Sequence, residues 1–336
     1  MHEIIFIIFV LINLPILLFY KVITNKIKLY DYKDGKRKFQ KKPVPLIGGF
    51  LLIYNILAFT IFDLNTEYHQ IIYGYFSNTR EYFSFFVGLS LCFLLGVFDD
   101  KYNLTSMKKL LSNFIIILIV ILADEGLVIR ELFFTFLDNS IELRNLSYFF
   151  SILCFLLLIN ALNMFDGINL QTATYCILIF LVFIYKDLYV LFSYIVILTL
   201  IFFLSYNLSN KAYLGDNGTQ ILGFIISYIL IKSYNKDSAF DLEEIFILLA
   251  IPGLDMFRLF VFRIINGRNP FTHDLNHMHH LISRKYNNKI SYLCLQVTII
   301  INLFLYHLIE NKIFILIFVI FLYFSLMITF KNYIKK

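Results

Sequence analysis

Long runs of apolar residues, separated by short polar breaks, follow one another from one end of the chain to the other. The runs are continuously apolar and lack the period-two alternation of transmembrane β-strands. A helix needs roughly 20 mostly apolar residues to cross about 30 Å of hydrocarbon. The pattern therefore predicts an all-α fold, a polytopic integral membrane helical bundle with about 11 transmembrane helices. The predicted spans are 3–20, 46–62, 82–98, 109–124, 147–165, 171–185, 189–206, 219–234, 243–259, 290–308 and 313–330.

No linker, low-complexity tract or internal repeat interrupts this succession, so we predict a single domain over residues 1–336. The first apolar run has no basic region before it and no small-residue cleavage site after it, which favours a spanning helix over a signal peptide. Residues 125–146 form a polar connection, for which the sequence leaves a hairpin and a surface helix open.

The distribution of basic residues predicts the orientation of the bundle. Twenty-two of the 29 lysines and arginines fall on the side of the membrane that carries the loop 21–45, and seven fall on the other side. Cytoplasmic loops carry the excess of these residues. We therefore predict that the N-terminus is outside and the C-terminus is cytoplasmic, as an odd number of spans requires.

Composition excludes a soluble globular domain, because 60% of the residues are hydrophobic and only 15% are charged, whereas soluble domains are about a quarter charged. The net charge of +6 does not require nucleic acid. Basic residues beside membrane spans are ordinary topology signals or contacts to lipid headgroups, so no nucleic-acid partner is predicted. The four cysteines lie in apolar runs without metal-ligand spacing, which predicts inert thiols.

Five clusters of unusual polar residues lie at span ends, all on the predicted cytoplasmic face. Acids, amides and imidazoles are costly near hydrocarbon unless they are paired or functional. Loops shaped by topology alone would be rich in lysine and arginine instead. The clusters are Pro43–Gly49, Gly96–Asp100 followed by Lys109, Asn160–Gly167, Tyr213–Gly218 and Asp274–His280.

Three carboxylates in these clusters, Asp99, Asp100 and Asp216, suggest a divalent cation. Hard oxygen ligands without a nearby thiolate suit Mg²⁺ or Mn²⁺ rather than zinc, and Mg²⁺ commonly shares its coordination with substrate phosphates. The glycines on either side of Asp216 predict a tight turn whose backbone amides approach an anion closely. An acidic pair or a glycine turn at a span end also occurs without such a role, so an interfacial interpretation stays open for each alone.

Amides and imidazoles supply the other candidate ligands. Asn160, Asn163 and Asp166 follow a spacing of three, which places them near one face of a helix, where they can bind a polar ligand or cap the helix end. His277, His279 and His280 favour contact with a phosphate or sugar, because no acidic or cysteine ligand stands at a standard zinc spacing. Tyr213 suits either an interfacial aromatic belt or stacking on a base.

Together and in this order, the clusters resemble the polyprenyl-phosphate N-acetylhexosamine-1-phosphate transferase family, glycosyl transferase family 4, over residues of about 33 to 285. The stretch from Asp255 to His280 resembles the branch that uses simple UDP-N-acetylhexosamines, and differs from the peptidoglycan branch. Two positions depart from the family pattern. Gln40 stands where a histidine is frequent, and Asn169 stands where an aspartate is usual.

The resemblance implies transfer of a sugar-1-phosphate from a UDP-N-acetylhexosamine to a polyprenyl (undecaprenyl) phosphate, with release of UMP. It implies that Asp216 binds Mg²⁺. It also implies that Asp99 and Asp100 deprotonate or orient the lipid phosphate and support the metal. It further implies a bacterial cytoplasmic membrane enzyme that starts a cell-envelope glycan such as O-antigen; a homodimer is left open. The implied substrate-binding residues are Asn160, Asn163, Asp166, Asn169, Tyr213, Lys109, His277, His279 and His280.

Two alternatives fit parts of this pattern. A transporter or flippase of nucleotide sugars or lipid-linked sugars would place its polar residues near the bilayer midplane, often in repeated halves. A CDP-alcohol phosphotransferase would also use aspartates and a metal ion. The gathering of polar residues on one face, and the combination of the aspartate pair with the asparagine and histidine clusters, favour the sugar-1-phosphate transferase.

Overall fold

The computed structural model is helical, as the apolar runs predict. It describes residues 2–32, 42–64, 75–137, 139–237, 239–270 and 275–332. The basic stretch around Lys33–Lys41, Gln40, Phe271 and Asp274 lie outside the described residues. Within the described part, twelve α-helices are α1 (His2–Ile27), α2 (Gly48–Leu64), α3 (Thr79–Tyr102), α4 (Ser106–Ala123), α5 (Ser147–Phe165), α6 (Gln171–Tyr185), α7 (Val190–Asn207), α8 (Gly215–Asp237), α9 (Leu242–Ile265), α10 (Met278–Lys285), α11 (Asn288–Leu308) and α12 (Lys312–Asn332).

Every predicted span coincides with one of these helices, and the all-helical prediction is confirmed. Eight helices, α1, α3, α4, α5, α7, α9, α11 and α12, are long and apolar enough to cross a membrane, and α2 and α6 contain shorter apolar stretches. The number of crossings and the orientation of the termini stay predictions. The sequence did not predict α10, a short helix that begins within the histidine cluster.

Local capping explains where the helices that carry the aspartate pair begin and end. Asn78 caps α3 by accepting a hydrogen bond from the Glu81 amide at 2.9 Å. At the other end Asn103 adopts a left-handed conformation, with φ of 50°, which closes α3. Thr105 then caps α4. A three-residue turn, residues 103–105, therefore separates the two helices shortly after Asp99 and Asp100.

The described chain divides into two compact units. Unit 1 comprises Met1–Leu104 and Ala173–Leu222, and unit 2 comprises Thr105–Thr172 and Gly223–Lys336. The boundary along the chain falls inside α6 and α8 as well as between α3 and α4. The prediction of one domain over residues 1–336 stays a prediction.

In unit 1, α2 packs against α7, α1 and α3. Phe9, Phe59 and Ile195 form a buried apolar cluster. Asn13 and Asn55 are buried as well, and each donates to the other's amide oxygen, at 2.7 and 3.1 Å. A short antiparallel ladder pairs β1 (Tyr30–Asp31) with β2 (Val44–Pro45).

In unit 2, α5 packs against α4 and α9, and α11 and α12 pack against α9. Lys232 of α8 is buried and forms an ion pair of 2.6 Å with Asp124, the residue that ends α4. Residues 125–146 contain a small hairpin of β3 (Glu131–Leu132) and β4 (Ile141–Glu142), which settles the alternative that the sequence left open. The four cysteines are free thiols.

Candidate active site

Three polar clusters that lie far apart in sequence meet in unit 1 at the start of α8. Tyr213 forms a β-bridge with Leu46, and its amide donates to the Pro45 carbonyl at 3.0 Å. The amides of Ile47 and Gly48 donate back to the Tyr213 carbonyl, each at 3.3 Å. The first cluster of the sequence therefore fixes the entry into α8 through backbone hydrogen bonds.

Glycines let the chain segments of this region approach closely. A Cβ atom added at Gly48 would lie 2.7 Å from Leu214 Cα, and one added at Gly96 would lie 2.7 Å from the carbonyl oxygen of Asp216. A Cβ at Gly49 would overlap Asn217, whose side-chain oxygen instead accepts a hydrogen bond of 2.7 Å from the Gly49 amide. Residues with a side chain do not fit at these positions without movement of the backbone.

The Asp100 carboxylate accepts hydrogen bonds from the N-terminus of α8. Its Oδ1 accepts from the Asp216 amide at 2.9 Å, and its Oδ2 accepts from the Asn217 amide at 3.0 Å and from the Asn217 side chain. The first amides of a helix have no partner within the helix, and their positive partial charge favours an anion. Asp100 thus has a structural role, holding α3 to α8, that the sequence did not predict.

Asp99 is buried, and it also binds the backbone. Its Oδ1 accepts from the Leu104 amide at 2.9 Å, and its carbonyl accepts from the Asn103 amide at 2.8 Å. The side chain therefore stabilises the turn that ends α3. Both members of the predicted aspartate pair make hydrogen bonds that shape the chain.

Asp216 lies in the first turn of α8 and is half-buried. Among the described residues, no group of three or more histidine, cysteine, aspartate or glutamate side chains is arranged to hold a metal ion. Mg²⁺ commonly takes one or two carboxylates and completes its shell with phosphate oxygens and water. The oxygen donors of Asp100 and Asp216 suit that mode of binding, which needs no cage made by the protein alone.

Tyr213 lies directly before this turn and is half-buried. Burial raises the pKa of its hydroxyl above the ordinary value, so the side chain is a neutral phenol at physiological pH. An uncharged ring with a hydroxyl suits either stacking or a hydrogen bond to a polar ligand.

The asparagine cluster lies in unit 2, at the end of α5. Asn160 and Asn163 belong to the helix, and Asp166 follows its last residue. The Asn160 side chain donates to the Leu156 carbonyl, four residues earlier in the same helix, at 2.7 Å. Asn163, Asp166 and Asn169 are half-buried, and the turn 166–170 leads directly into α6.

The histidine cluster surrounds the start of α10. The rings of His277 and His279 are stacked, with centroids 5.4 Å apart and planes 7° from parallel, and His280 lies 4.2 Å from His279. His279 is only 1% exposed, and its Nε2 has no hydrogen-bond partner in the described part of the chain. Burial lowers the pKa of His279 well below the ordinary value, so this ring is neutral at pH 7.

Gly167 brings the asparagine and histidine clusters together. A Cβ atom added at Gly167 would overlap Nε2 of His279. The turn after α5 therefore passes directly over the buried imidazole, and only a residue without a side chain permits this approach. Unit 2 thus presents amides, a carboxylate and imidazoles within one local region.

A carboxylate that the sequence did not single out as a ligand supports this region. Asp255 of α9 lies 2.8 Å from Nδ1 of His277 and also binds Arg258 at 2.9 Å. The available signal was an acid and a base three residues apart in an apolar stretch of the helix, an arrangement expected where charges are paired or functional.

The predicted site residues thus fall into two local groups. Lys109 is buried in the first turn of α4. Asp99, Asp100, Tyr213 and Asp216 belong to unit 1. Asn160, Asn163, Asp166, Asn169, Lys109, His277, His279 and His280 belong to unit 2.

Comparison with known proteins gives two findings. The model of the family "Glycosyl transferase family 4" matches residues 82–234. The chain is 27% identical over 279 residues, 81% of this chain and 73% of the relative, to a protein of Bacillus subtilis (strain 168) named "Probable undecaprenyl-phosphate N-acetylglucosaminyl 1-phosphate transferase". It is 25% identical to the "Undecaprenyl-phosphate alpha-N-acetylglucosaminyl 1-phosphate transferase" of Escherichia coli (strain K12), over 80% of this chain and 72% of the relative. The protein of the same name from Yersinia pestis is also 25% identical, over 82% of this chain and 74% of the relative.

Proposed function

The chain belongs to glycosyl transferase family 4, and on that premise we propose that it transfers a sugar-1-phosphate from a nucleotide sugar to a polyprenyl phosphate in a membrane. We propose further that the donor is a UDP-N-acetylhexosamine and the acceptor is undecaprenyl phosphate. The products are UMP and a lipid diphosphate-sugar that starts a cell-envelope glycan.

The observation that carries this proposal is the convergence at the start of α8. Residues 45–49, 96–100 and 213–217 meet there through backbone hydrogen bonds, glycine contacts and the Asp100 carboxylate. A helix N-terminus beside carboxylates suits phosphate groups that arrive with a divalent cation, because amide dipoles and the cation both offset negative charge.

In the proposed reaction a phosphate oxygen of the lipid attacks the β-phosphorus of the nucleotide sugar. The bond from that phosphorus to the bridging oxygen breaks, and UMP leaves. Positioning and neutralisation of charge supply most of the acceleration in phosphoryl transfer. A bound Mg²⁺, held by Asp216 with support from Asp100, would offset the charge that gathers on the phosphates.

The other residues would position the two substrates. We assign to Asp99 the orientation of the lipid phosphate. Within unit 2 we assign Asn163 and Asp166 to the nucleotide, with Asn160 and Asn169 as further polar ligands. Within unit 1 the ring of Tyr213 would offer a stacking surface for a base. The histidine cluster would donate hydrogen bonds to the diphosphate or the sugar, because imidazole can present an N–H to a phosphate oxygen. We place this site on the cytoplasmic face of a bacterial inner membrane, where nucleotide sugars are made.

The test is a transfer assay with the purified protein in nanodiscs, undecaprenyl phosphate, Mg²⁺ and UDP-N-acetylglucosamine or UDP-N-acetylgalactosamine labelled in the sugar. We expect label in the organic phase and an equal amount of UMP. An Asp216→Asn variant serves as the matched negative control. Folded protein that gives no lipid-linked label with either donor would contradict the proposal. Accumulation of labelled sugar inside proteoliposomes, without a lipid product, would support the transporter instead.

A further inference from the structure

We propose that Asp255 is a positioning residue that fixes the ring of His277 and determines which of its nitrogens faces the substrate. This inference rests on the proposed function, because it assigns a task within the same site. Asp255 itself touches no substrate in this proposal. It acts through His277, and Arg258 and Tyr323 hold it in place.

The two oxygens of Asp255 have different partners. Oδ2 lies 2.8 Å from Nδ1 of His277. Oδ1 accepts from the Met278 amide at 3.1 Å, from Arg258 at 2.9 Å and from the Tyr323 hydroxyl at 2.9 Å. One oxygen is therefore shared by three donors that build the local structure, and the other is left for the imidazole.

Arg258 and Tyr323 make this geometry rigid. Arg258 also donates to the Tyr323 oxygen at 2.9 Å and to the Asn276 carbonyl at 2.7 Å. Asp255 is 4% exposed and Tyr323 is fully buried. A buried carboxylate without partners would be costly, and this one has a guanidinium and several hydrogen bonds to offset that cost. The same contacts fix the carboxylate's position.

A carboxylate beside a guanidinium accepts hydrogen bonds, so Nδ1 of His277 carries the proton in this pair. The other nitrogen, Nε2, is then the one available to a ligand. A hydrogen bond on one ring nitrogen sets the tautomer and the orientation of a histidine. The parallel ring of His279, 5.4 Å away, limits rotation of His277 further.

A merely structural carboxylate would give different behaviour from a positioning one. If Asp255 only joins α9, α10 and α12, its loss and the loss of His277 act independently, and their effects on turnover multiply. If Asp255 acts through His277, its loss has little further effect once the imidazole is gone. Residues that act as one unit are strongly non-additive.

The experiment is a double-mutant cycle of kcat and KM with Asp255→Asn, His277→Gln and the double variant, each as full-length protein in nanodiscs. We expect Asp255→Asn to lower kcat by about 100-fold with little change in KM, since the same change in a serine-protease triad lowers kcat by about 10⁴ through the wrong tautomer. The double variant should lie within about threefold of His277→Gln.

Asp241→Asn is the matched control. Asp241 directly precedes α9, and, like Asp255, it accepts a hydrogen bond from a tyrosine hydroxyl, here that of Tyr306 at 2.8 Å. Its kcat should stay within about twofold of the wild type. Thermal unfolding in detergent checks that all variants are folded. Losses that multiply in the double variant, or an Asp255→Asn protein with normal turnover, would overturn the inference while leaving the proposed function intact.

A ¹⁵N-histidine NMR spectrum gives a readout that does not need turnover. We expect His277 to be protonated at Nδ1 in the wild type, and Asp255→Asn to populate the form protonated at Nε2; the signal is assigned by its loss in His277→Gln. If the wild type makes no lipid-linked sugar, the proposed function fails, and the spectrum still decides whether Asp255 fixes His277. An unchanged spectrum in Asp255→Asn would contradict the inference in either case.

Discussion

The start of α8 in unit 1 and the histidine cluster in unit 2 are both built from conspicuous polar residues, but their polar atoms are used differently. In the first region the Asp100 carboxylate binds the first amides of α8, and the Asp99 carboxylate binds the Leu104 amide after α3. In the histidine cluster, Nε2 of the buried His279 has no hydrogen-bond partner in the described residues. The first region uses its side chains to hold the backbone, and the second keeps imidazoles in a fixed arrangement with a nitrogen to spare. Polar residues at span ends can thus serve mainly to hold the backbone in one region and leave a nitrogen without a protein partner in another.

Removing the charge of Asp216 should have the largest effect. Asp216→Asn keeps the shape of the side chain but removes a proposed Mg²⁺ ligand, and loss of one electrostatic contributor to a transition state costs about 10²–10³ in kcat. We expect such a loss of transfer with an unchanged unfolding temperature. Near-normal transfer by well-folded Asp216→Asn would refute the assignment of the metal ligand.

Asp99→Asn should lose turnover while Mg²⁺-dependent binding of the nucleotide sugar, measured by calorimetry, persists.

Adding one methyl group to each region should separate backbone contacts from side-chain contacts. At Gly96 the new Cβ meets the backbone of residues 216 and 217, which has little freedom to move, whereas at Gly167 the three nearest atoms all belong to the His279 side chain. Overpacking costs about 1–3 kcal/mol. We expect Gly96→Ala at the upper end of that range and Gly167→Ala at the lower end, by denaturant unfolding in detergent.

Gly253→Ala is the control for both substitutions, because a Cβ at this helical position meets no atom within 4 Å. Alanine is favoured over glycine within a helix by about 1 kcal/mol, so this variant should be at least as stable as the wild type. Equal losses at Gly96 and Gly167 would break the distinction between the two regions.

Asp100→Asn should test the structural share of the aspartate pair. The asparagine side chain has only one oxygen. It therefore cannot accept hydrogen bonds from the backbone amides of both Asp216 and Asn217, as the two oxygens of Asp100 do. Leaving a buried donor unsatisfied costs about 1–3 kcal/mol. We expect a loss of about 2 kcal/mol in unfolding free energy. A stability equal to that of the wild type would mean that these hydrogen bonds contribute nothing to folding.

The smallest effect should be a pH dependence that comes from the buried imidazole. Burial keeps His279 neutral in the folded protein, the neighbouring His280 and His277 act in the same direction, and Asp255 opposes them. In the unfolded chain the ring binds a proton below its ordinary pKa of about 6.5. The unfolded state then holds more protons, so stability falls as the pH drops below that value. Between pH 7.5 and pH 5.5, the free energy of unfolding of His279→Gln should fall by about 1 kcal/mol less than that of the wild type. Parallel curves for the two proteins would exclude this origin.

The sequence predicted the helices well because continuous apolar runs of this length have few alternatives in a membrane. It missed α10, since an eight-residue helix that starts among histidines has no apolar run to announce it. The hydrogen bonds of Asp100 could not be predicted either, because the amides that it binds stand 116 and 117 positions later in the chain. For the same reason nothing in the sequence paired Asp255 with His277, whereas the residue types of the histidine cluster were visible at once.

The burial of α8 has a consequence for how the chain enters the membrane. From Asn217 to Ser233 every residue of this helix is buried, and the helix is not among those apolar enough to cross a membrane by their composition. Lys232 lies near its C-terminal end. Insertion of a lysine costs about 2.5–3.5 kcal/mol at a helix centre on translocon scales, and less near a helix end. During synthesis α8 therefore gains little by leaving the translocon for lipid on its own. We expect it to wait at the lateral gate until partners arrive, with Asp124, already translated, available to neutralise its lysine.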